Sequence, residues 1–124
     1  MQSPTVLVIE DSSYLAESLI DMLEMHQYIP LHAATGRAGV ALALEQQPDL
    51  ILLDIRLPDI TGYEVYRNIR ETGWGKTARI IVLTASESID SIAKNIDLPS
   101  EYVLYKPESS IQNLIQKIGK RLAH

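Results

Sequence analysis

The stretch Asp49-Leu-Ile-Leu-Leu-Asp54-Ile-Arg56-Leu-Pro58-Asp-Ile-Thr-Gly62 decides how the chain folds. Its apolar run at residues 50–53 is unbroken, which is typical of a strand buried on both faces. The run ends in a carboxylate, Asp54, and Pro58 and Gly62 then indicate a loop. A group placed at the carboxyl end of a parallel strand is a common arrangement for a functional site. We therefore take Asp54 as a candidate nucleophile.

Four more segments have the character of strands, and helical patterns separate all five. The predicted strands are residues 5–9, 28–33, 50–54, 79–84 and 101–105. Pro30 suggests an edge position for the second strand. The predicted helices start at Ser12-Ser13, at Thr35, at Thr61, at Ser88 and at about Ser109. This alternation predicts an α/β, doubly wound (βα)5 flavodoxin-like fold, with a parallel five-stranded sheet in the order 2-1-3-4-5.

The composition limits the class of protein. A length of 124 residues predicts a single domain over residues 1–124, and there is no apolar run long enough to span a membrane. The absence of cysteine excludes disulfides and thiol catalysis. The net charge of −5 argues against direct binding to nucleic acid or to a membrane surface. We expect a cytoplasmic protein.

Polar side chains stand where the predicted strands end. Glu10 and Asp11 follow the first strand, and Asp54, Thr84 and Lys106 close the third, fourth and fifth. Because the carboxyl ends of parallel strands lie on one edge of a sheet, we expect these groups to converge. Crowded carboxylates repel one another unless a cation intervenes, and oxygen ligands suit Mg²⁺. A lysine charge and a threonine hydroxyl are suited to holding a phosphoryl group beside that ion.

In this set of residues the chain resembles a response-regulator receiver domain of two-component signalling, a family of the CheY-like superfamily. The order and spacing of five features together carry the resemblance: Glu10-Asp11, Asp54 followed by Pro58 and Gly62, Thr84-Ala85 and Lys106-Pro107. Each feature alone would be a weak signal.

The resemblance implies a mechanism in which Asp54 is the phosphoacceptor. It would take a phosphoryl group from a histidine kinase or a histidine phosphotransfer protein and would later lose that group to water. Mg²⁺ would be held by Asp11, Asp54 and the backbone carbonyl of Arg56, with Glu10 acting mainly through water. A receiver is not a conventional enzyme, although it catalyses its own phosphorylation and dephosphorylation.

The resemblance also implies how the signal leaves the site. Lys106 would pair with a phosphoryl oxygen, and Thr84 would bind another and move inward. That movement would change the surface formed by the fourth helix, the fifth strand and the fifth helix. A downstream effector or output domain would recognise this surface, and a homodimer through it is a further option.

Two positions depart from the usual receiver pattern. Arg56, two residues after the candidate phosphoacceptor, is bulky and cationic, and we hypothesise that it pairs with Glu10 or Glu87 and weakens Mg²⁺ binding. Val103 occupies the position where receivers usually carry a switch aromatic. Strand alternation favours Tyr105 as the aromatic reporter. Trp74 is expected at the amino edge of the sheet, far from Asp54.

Other function classes need residues that the chain lacks. An enzyme of the haloacid-dehalogenase type also uses an aspartate at a strand end, but it needs a second acid at the position of Arg56. A flavodoxin-like binder needs a glycine-rich phosphate loop where Glu10 and Asp11 stand, and no dinucleotide motif is present. The serious rival is a pseudo-receiver, which has the fold but acts as a protein-interaction module without phosphorylation.

Overall fold

The chain builds a sheet of five parallel strands. The structure is a computed structural model, and it describes residues 3–85, 87–106 and 111–123. The strands lie in the order β2-β1-β3-β4-β5, as predicted. Their bounds are β1 Thr5–Ile9, β2 Ile29–Ala33, β3 Leu50–Asp54, β4 Ile80–Thr84 and β5 Val103–Tyr105.

Burial follows position in the sheet. Every residue of β3 and β4 is buried, which explains their unbroken apolar runs. β2 lies at the edge and carries exposed residues, including Ile29. Pro30 lies opposite Val6 of β1, and an edge strand accepts proline because its other side has no neighbouring strand to bond. The predicted edge position of β2 is confirmed.

Five helices connect and cover the strands. Each of the first four begins at a serine or threonine whose side-chain oxygen accepts a backbone N–H three residues on; these residues are Ser12, Thr35, Thr61 and Ser88. The helices are α1 Ser13–Met25, α2 Gly36–Gln46, α3 Gly62–Arg70, α4 Ile89–Ile96 and α5 Ile111–Ala123.

The helices pack their apolar faces on the sheet. α3 buries Val65, Tyr66 and Ile69, which are the residues predicted to face inward. α5 buries Leu114 and Ile118, while the side chain of Ile111 lies outside the described residues. Because the order of strands reverses between β1 and β3, right-handed connections place helices on both faces. None of the described helices is long and apolar enough to cross a membrane.

The prediction for the fifth strand was too long. Residues 101 and 102 belong to a 3₁₀ turn, Ser100–Tyr102, and β5 begins only at Val103. Pro99 favours this turn, and its carbonyl accepts the N–H of Tyr102 at 2.9 Å. β2 and β4 are each one residue shorter than predicted at the start. The predicted start of the last helix at Ser109, like Pro107, lies outside the described residues.

Candidate functional site

The ends of four strands bring the predicted site residues to one edge of the sheet. Glu10 directly follows β1, Asp54 ends β3, Thr84 ends β4 and Lys106 directly follows β5. Glu10, Asp54 and Thr84 are all buried, with at most 2% of their surface exposed. Buried polar groups are rare unless they are paired, so this edge differs from an ordinary set of strand ends.

Lys106 joins two of the carboxylates. Its Nζ lies 2.8 Å from Oε1 of Glu10 and 2.8 Å from Oδ2 of Asp54. Burial raises the pKa of Glu10, although the contacts with Lys106 and with the Ser12 N–H oppose this effect. Burial lowers the pKa of Lys106, but its bonds to Asp54 and Glu10 reverse the balance and raise that pKa overall. The ammonium therefore remains charged and compensates the two buried acids.

Asp11 adds a third carboxylate at the solvent side of the pair. One oxygen from each of Glu10, Asp11 and Asp54 can be chosen so that all three lie within 4.8 Å of one another. Asp11 is exposed, whereas the other two acids are buried. Three hard oxygen donors at this separation fit a divalent cation such as Mg²⁺, which prefers carboxylate and water ligands. The acidic cluster predicted from the strand ends is therefore present.

Backbone groups hold the two buried acids in place. The N–H of Arg56 donates to Oδ1 of Asp54 at 3.1 Å, and the N–H of Ser12 donates to Oε2 of Glu10 at 3.1 Å. Nε2 of His32 lies 2.8 Å from the backbone carbonyl of Glu10, and this contact was not foreseen from the sequence. Each buried acid therefore has one oxygen on a backbone donor and one on Lys106.

Thr84 is hydrogen-bonded to Glu87, a residue that the sequence analysis considered only as a partner of Arg56. Its hydroxyl donates to Oε2 of Glu87 at 2.7 Å, and the N–H of Glu87 donates back to Oγ1 of Thr84 at 3.1 Å. Oε1 of Glu87 accepts from Nε of Arg56 at 2.6 Å. The Thr84 hydroxyl and the Arg56 guanidinium together hold the pKa of Glu87 below its usual value. Of the two partners considered for Arg56, the structure pairs it with Glu87.

β5 places Tyr105 beside Thr84. The two residues are register partners in the parallel β4–β5 pair, and Tyr105 is half-buried. The N–H of Lys106 donates to the carbonyl of Thr84 at 2.7 Å, so β4 and the site lysine are directly linked. Val103, at the usual aromatic position, is buried and pairs with Val82.

Sequence reasoning missed Asp59, which lies in the loop after β3. Its carboxylate accepts two backbone N–H groups from the start of α2, more than twenty residues earlier in the chain. Nothing local identifies such a partner. The only signal was that Asp59 follows Pro58 in a loop adjoining the candidate phosphoacceptor.

Comparisons with known proteins identify the family to which the chain is similar. The family model described as "Response regulator receiver domain" matches residues 6–119. Response regulator ArlR of Staphylococcus saprophyticus is 35% identical over 118 residues, covering 94% of this chain and 51% of that protein. Transcriptional regulatory protein AfsQ1 of Streptomyces coelicolor is 36% identical over 104 residues, covering 84% of this chain and 45% of that protein. The chain thus spans about half the length of these curated relatives.

Solved structures show the same architecture. A CheY-like response regulator receiver domain protein from Methanospirillum hungatei superposes with a TM-score of 0.86 at 25% identity. The match covers 98% of this chain and 95% of that one. The family match and the solved structures therefore agree on the architecture of the chain.

Proposed function

The chain belongs to the family of response regulator receiver domains, and from this premise we propose that Asp54 is a working phosphoacceptor in two-component signalling. The proposal takes residues 1–124 as one receiver domain. A histidine kinase or a histidine phosphotransfer protein supplies the phosphoryl group. The observation that carries the proposal is the buried Asp54 carboxylate, with Lys106 Nζ at 2.8 Å and two further acids beside it.

The proposed chemistry is a phosphoryl transfer in two halves. A carboxylate oxygen of Asp54 attacks phosphorus, and the bond from phosphorus to the histidine nitrogen breaks. The ring, already protonated on its other nitrogen, leaves as neutral imidazole. The product is an acyl phosphate on Asp54. Water later attacks the same phosphorus, releases inorganic phosphate and restores the carboxylate. Catalysis of this kind depends on positioning and on neutralising charge.

The acidic cluster is the proposed Mg²⁺ site. Glu10, Asp11, Asp54 and the backbone carbonyl of Arg56 would hold the ion, with Glu10 acting mainly through water. When bound, Mg²⁺ would neutralise charge on the transferred phosphoryl group. The spacing of the three carboxylates supports this assignment.

Lys106 and Thr84 are proposed to change partners after transfer. Lys106, which bridges Glu10 and Asp54 before phosphorylation, would pair with a phosphoryl oxygen. Thr84 would release Glu87 and donate its hydroxyl to another phosphoryl oxygen. Because Tyr105 lies beside Thr84 in the sheet, we propose that it reports this movement to the surface of α4, β5 and α5.

The downstream partner is proposed to be a protein that recognises this surface. It is either an output domain or a separate effector, and a homodimer through α4, β5 and α5 is a further proposed state. The net charge of −5 favours a protein partner over direct contact with nucleic acid. AfsQ1 is named a transcriptional regulatory protein, which supports a proposed cytoplasmic location.

Intact mass spectrometry tests the proposal. We expect wild-type protein incubated with Mg²⁺ and a small phosphodonor such as acetyl phosphate to gain one phosphoryl group, and Asp54→Asn to gain none. Omission of Mg²⁺ should suppress the adduct. An adduct that persists on Asp54→Asn would place the phosphoacceptor elsewhere. A wild type that takes no phosphoryl group would favour the pseudo-receiver.

A further inference from the structure

Asp59 ties the loop after β3 to the start of α2. We call this loop, residues 55–61, the site loop. Its Oδ1 accepts the N–H of Gly36 at 2.8 Å, and its Oδ2 accepts the N–H of Arg37 at 2.9 Å. Thr35, the residue that caps α2 locally, accepts the next N–H, that of Ala38, at 3.1 Å. The first three N–H groups of α2 are therefore divided between a local cap and a carboxylate that comes from the site loop.

The loop also packs closely on the start of α2, at Gly36. A Cβ on Gly36 would lie 2.5 Å from Cγ1 of Ile60 and 2.9 Å from Cγ2 of Val65. A larger residue would push Ile60 or Val65 aside, so Gly36 permits the start of α2 to rest directly on these two side chains. This packing and the two hydrogen bonds of Asp59 join the loop to the same turn of α2.

The other end of the loop is fixed to the candidate phosphoacceptor. Gly62 donates its N–H to the carbonyl of Ile55 at 2.8 Å, which closes the loop on itself. A Cβ on Gly62 would lie 2.5 Å from the carbonyl oxygen of Asp54, so the closure is tight. Within this loop the N–H of Arg56 donates to Oδ1 of Asp54. A short closed segment therefore connects the Asp54 carboxylate to the Asp59 tether, which is the pair of hydrogen bonds that Asp59 accepts from the start of α2.

We propose that Asp59 is a positioning residue for the phosphoacceptor site, because its bonds to α2 keep Arg56 where the Arg56 backbone serves Asp54. This inference rests on the proposed function, since it gives the loop a role in Mg²⁺ binding and phosphoryl transfer. Asp59 acts through Arg56, whose N–H orients the Asp54 carboxylate and whose carbonyl is a proposed metal ligand. Groups that orient the ligands of a metal strongly influence its affinity.

A purely structural role for Asp59 has a different signature. An acid near the first turn of a helix stabilises it through the helix dipole and by satisfying free N–H groups. Thr35 provides the same kind of stabilisation to the same helix from a position outside the site loop. Thr35→Ala is therefore a matched control, because it weakens the start of α2 and leaves the tether intact.

The experiment compares Asp59→Ala, Asp59→Asn and Thr35→Ala by Mg²⁺ titration calorimetry, phosphorylation rate and thermal unfolding. We expect all three to lower Tm. We expect Asp59→Ala to weaken Mg²⁺ binding about tenfold and to slow phosphorylation by acetyl phosphate, as loss of a ligand-orienting group does. Asp59→Asn, which keeps one carbonyl oxygen, should show a smaller loss. Thr35→Ala should bind Mg²⁺ as wild type does.

A second readout follows the Arg56 amide signal in a two-dimensional NMR spectrum without Mg²⁺. We expect it to move in Asp59→Ala and to stay in Thr35→Ala, because Asp59 belongs to the loop that carries Arg56 and Thr35 does not. Equal behaviour of the two alanine variants in Mg²⁺ affinity and in this signal would overturn the inference. If the wild type accepts no phosphoryl group, the proposed function fails, while Mg²⁺ affinity and the amide signal still decide the role of Asp59.

Discussion

The two edges of the sheet hold charged side chains in different ways. At the carboxyl edge, Glu10 and Asp54 are buried side by side, and Lys106 contacts both. At the amino edge, Arg70 donates from Nη1 to the carbonyls of Gly75 and Ala78, at 2.7 and 2.6 Å. Its guanidinium also lies over the ring of Tyr66, 4.7 Å from the centroid. At the carboxyl edge a cation is paired with two carboxylates, whereas Arg70 at the amino edge is held by carbonyl oxygens and an aromatic ring.

The difference shows what each edge is suited for. Carbonyl oxygens and an aromatic face stabilise the Arg70 cation in one arrangement, so Arg70 is suited to stabilising the fold. Like charges that are held together by one lysine are stable only while that partner is present, and a bound cation or phosphoryl group changes the balance. Substitutions at the two edges should therefore differ in their effects on stability and on Mg²⁺ binding.

Lys106→Met should destabilise the fold most. Removing one partner of a buried ion pair leaves uncompensated charge, and we expect a loss of about 3 kcal/mol in the free energy of unfolding. Urea unfolding with and without Mg²⁺ measures this free energy. Mg²⁺ should restore part of the lost stability, because its charge compensates Glu10 and Asp54. Lys120→Met is the control, because its pair with Glu101 is largely exposed and should be worth less than about 1 kcal/mol. Equal effects of the two variants would contradict the contrast.

Arg70→Met tests the amino edge. The variant loses two hydrogen bonds to carbonyls and the contact with Tyr66, so we expect the free energy of unfolding to fall by about 2 kcal/mol. Phosphorylation by acetyl phosphate and Mg²⁺ affinity should not change. Arg67→Met, an exposed position on the same helix, serves as the control and should be nearly neutral. A slower phosphorylation in Arg70→Met would show that the two edges are coupled.

Arg56→Ala should sharpen the description of the carboxyl edge. The guanidinium is paired with Glu87, and its side chain is 71% exposed, so its influence on the site is screened by solvent. Removing this positive charge should raise Mg²⁺ affinity about two- to fivefold, which is the range of a weak surface interaction. Titration calorimetry gives the affinity, with Arg67→Ala as the control. Unchanged Mg²⁺ binding would show that Arg56 does not weaken the site.

We expect no change in the fluorescence of Trp74 when Mg²⁺ binds. It is the single tryptophan of the chain and lies in the 3₁₀ turn Trp74–Thr77 that leads to the start of β4. Its fluorescence should therefore stay the same while Mg²⁺ is titrated into the site at the opposite edge. Strong quenching would contradict the separation of the two edges.

Local patterns predicted most of this fold because its elements obey them. Unbroken apolar runs marked β3 and β4, and hydroxyl caps such as Ser12 and Thr61 marked helix starts. The prediction for β5 was wrong at its start because the apolar and aromatic residues continue without a break from Tyr102, although Tyr102 belongs to a turn closed on Pro99 that precedes the strand. A burial pattern alone does not distinguish a strand from a short turn beneath a helix.

The site was predictable only as far as strand topology carries side chains to one edge. Strand topology predicted that Glu10, Asp54 and Lys106 lie together, and in the structure Lys106 contacts both acids. Whether Arg56 would meet Glu10 or Glu87 stayed open, because a long side chain in a loop can reach either. Asp59 was missed for a related reason, since its partners lie in a different helix and are backbone groups.

The bonds that Asp59 makes to α2 also set how the loop responds to acid. The N–H groups of Arg37 and Gly36 lower the pKa of Asp59 from 3.8 to about 2. A carboxylate with a lowered pKa stabilises the fold fully above its unfolded value, and this contribution disappears as the pH falls through the folded value. The tether is thus complete above about pH 4 and is lost only toward pH 2. At a pH at which an ordinary surface carboxylate is already protonated, Asp59 still holds the loop beside Asp54 to α2.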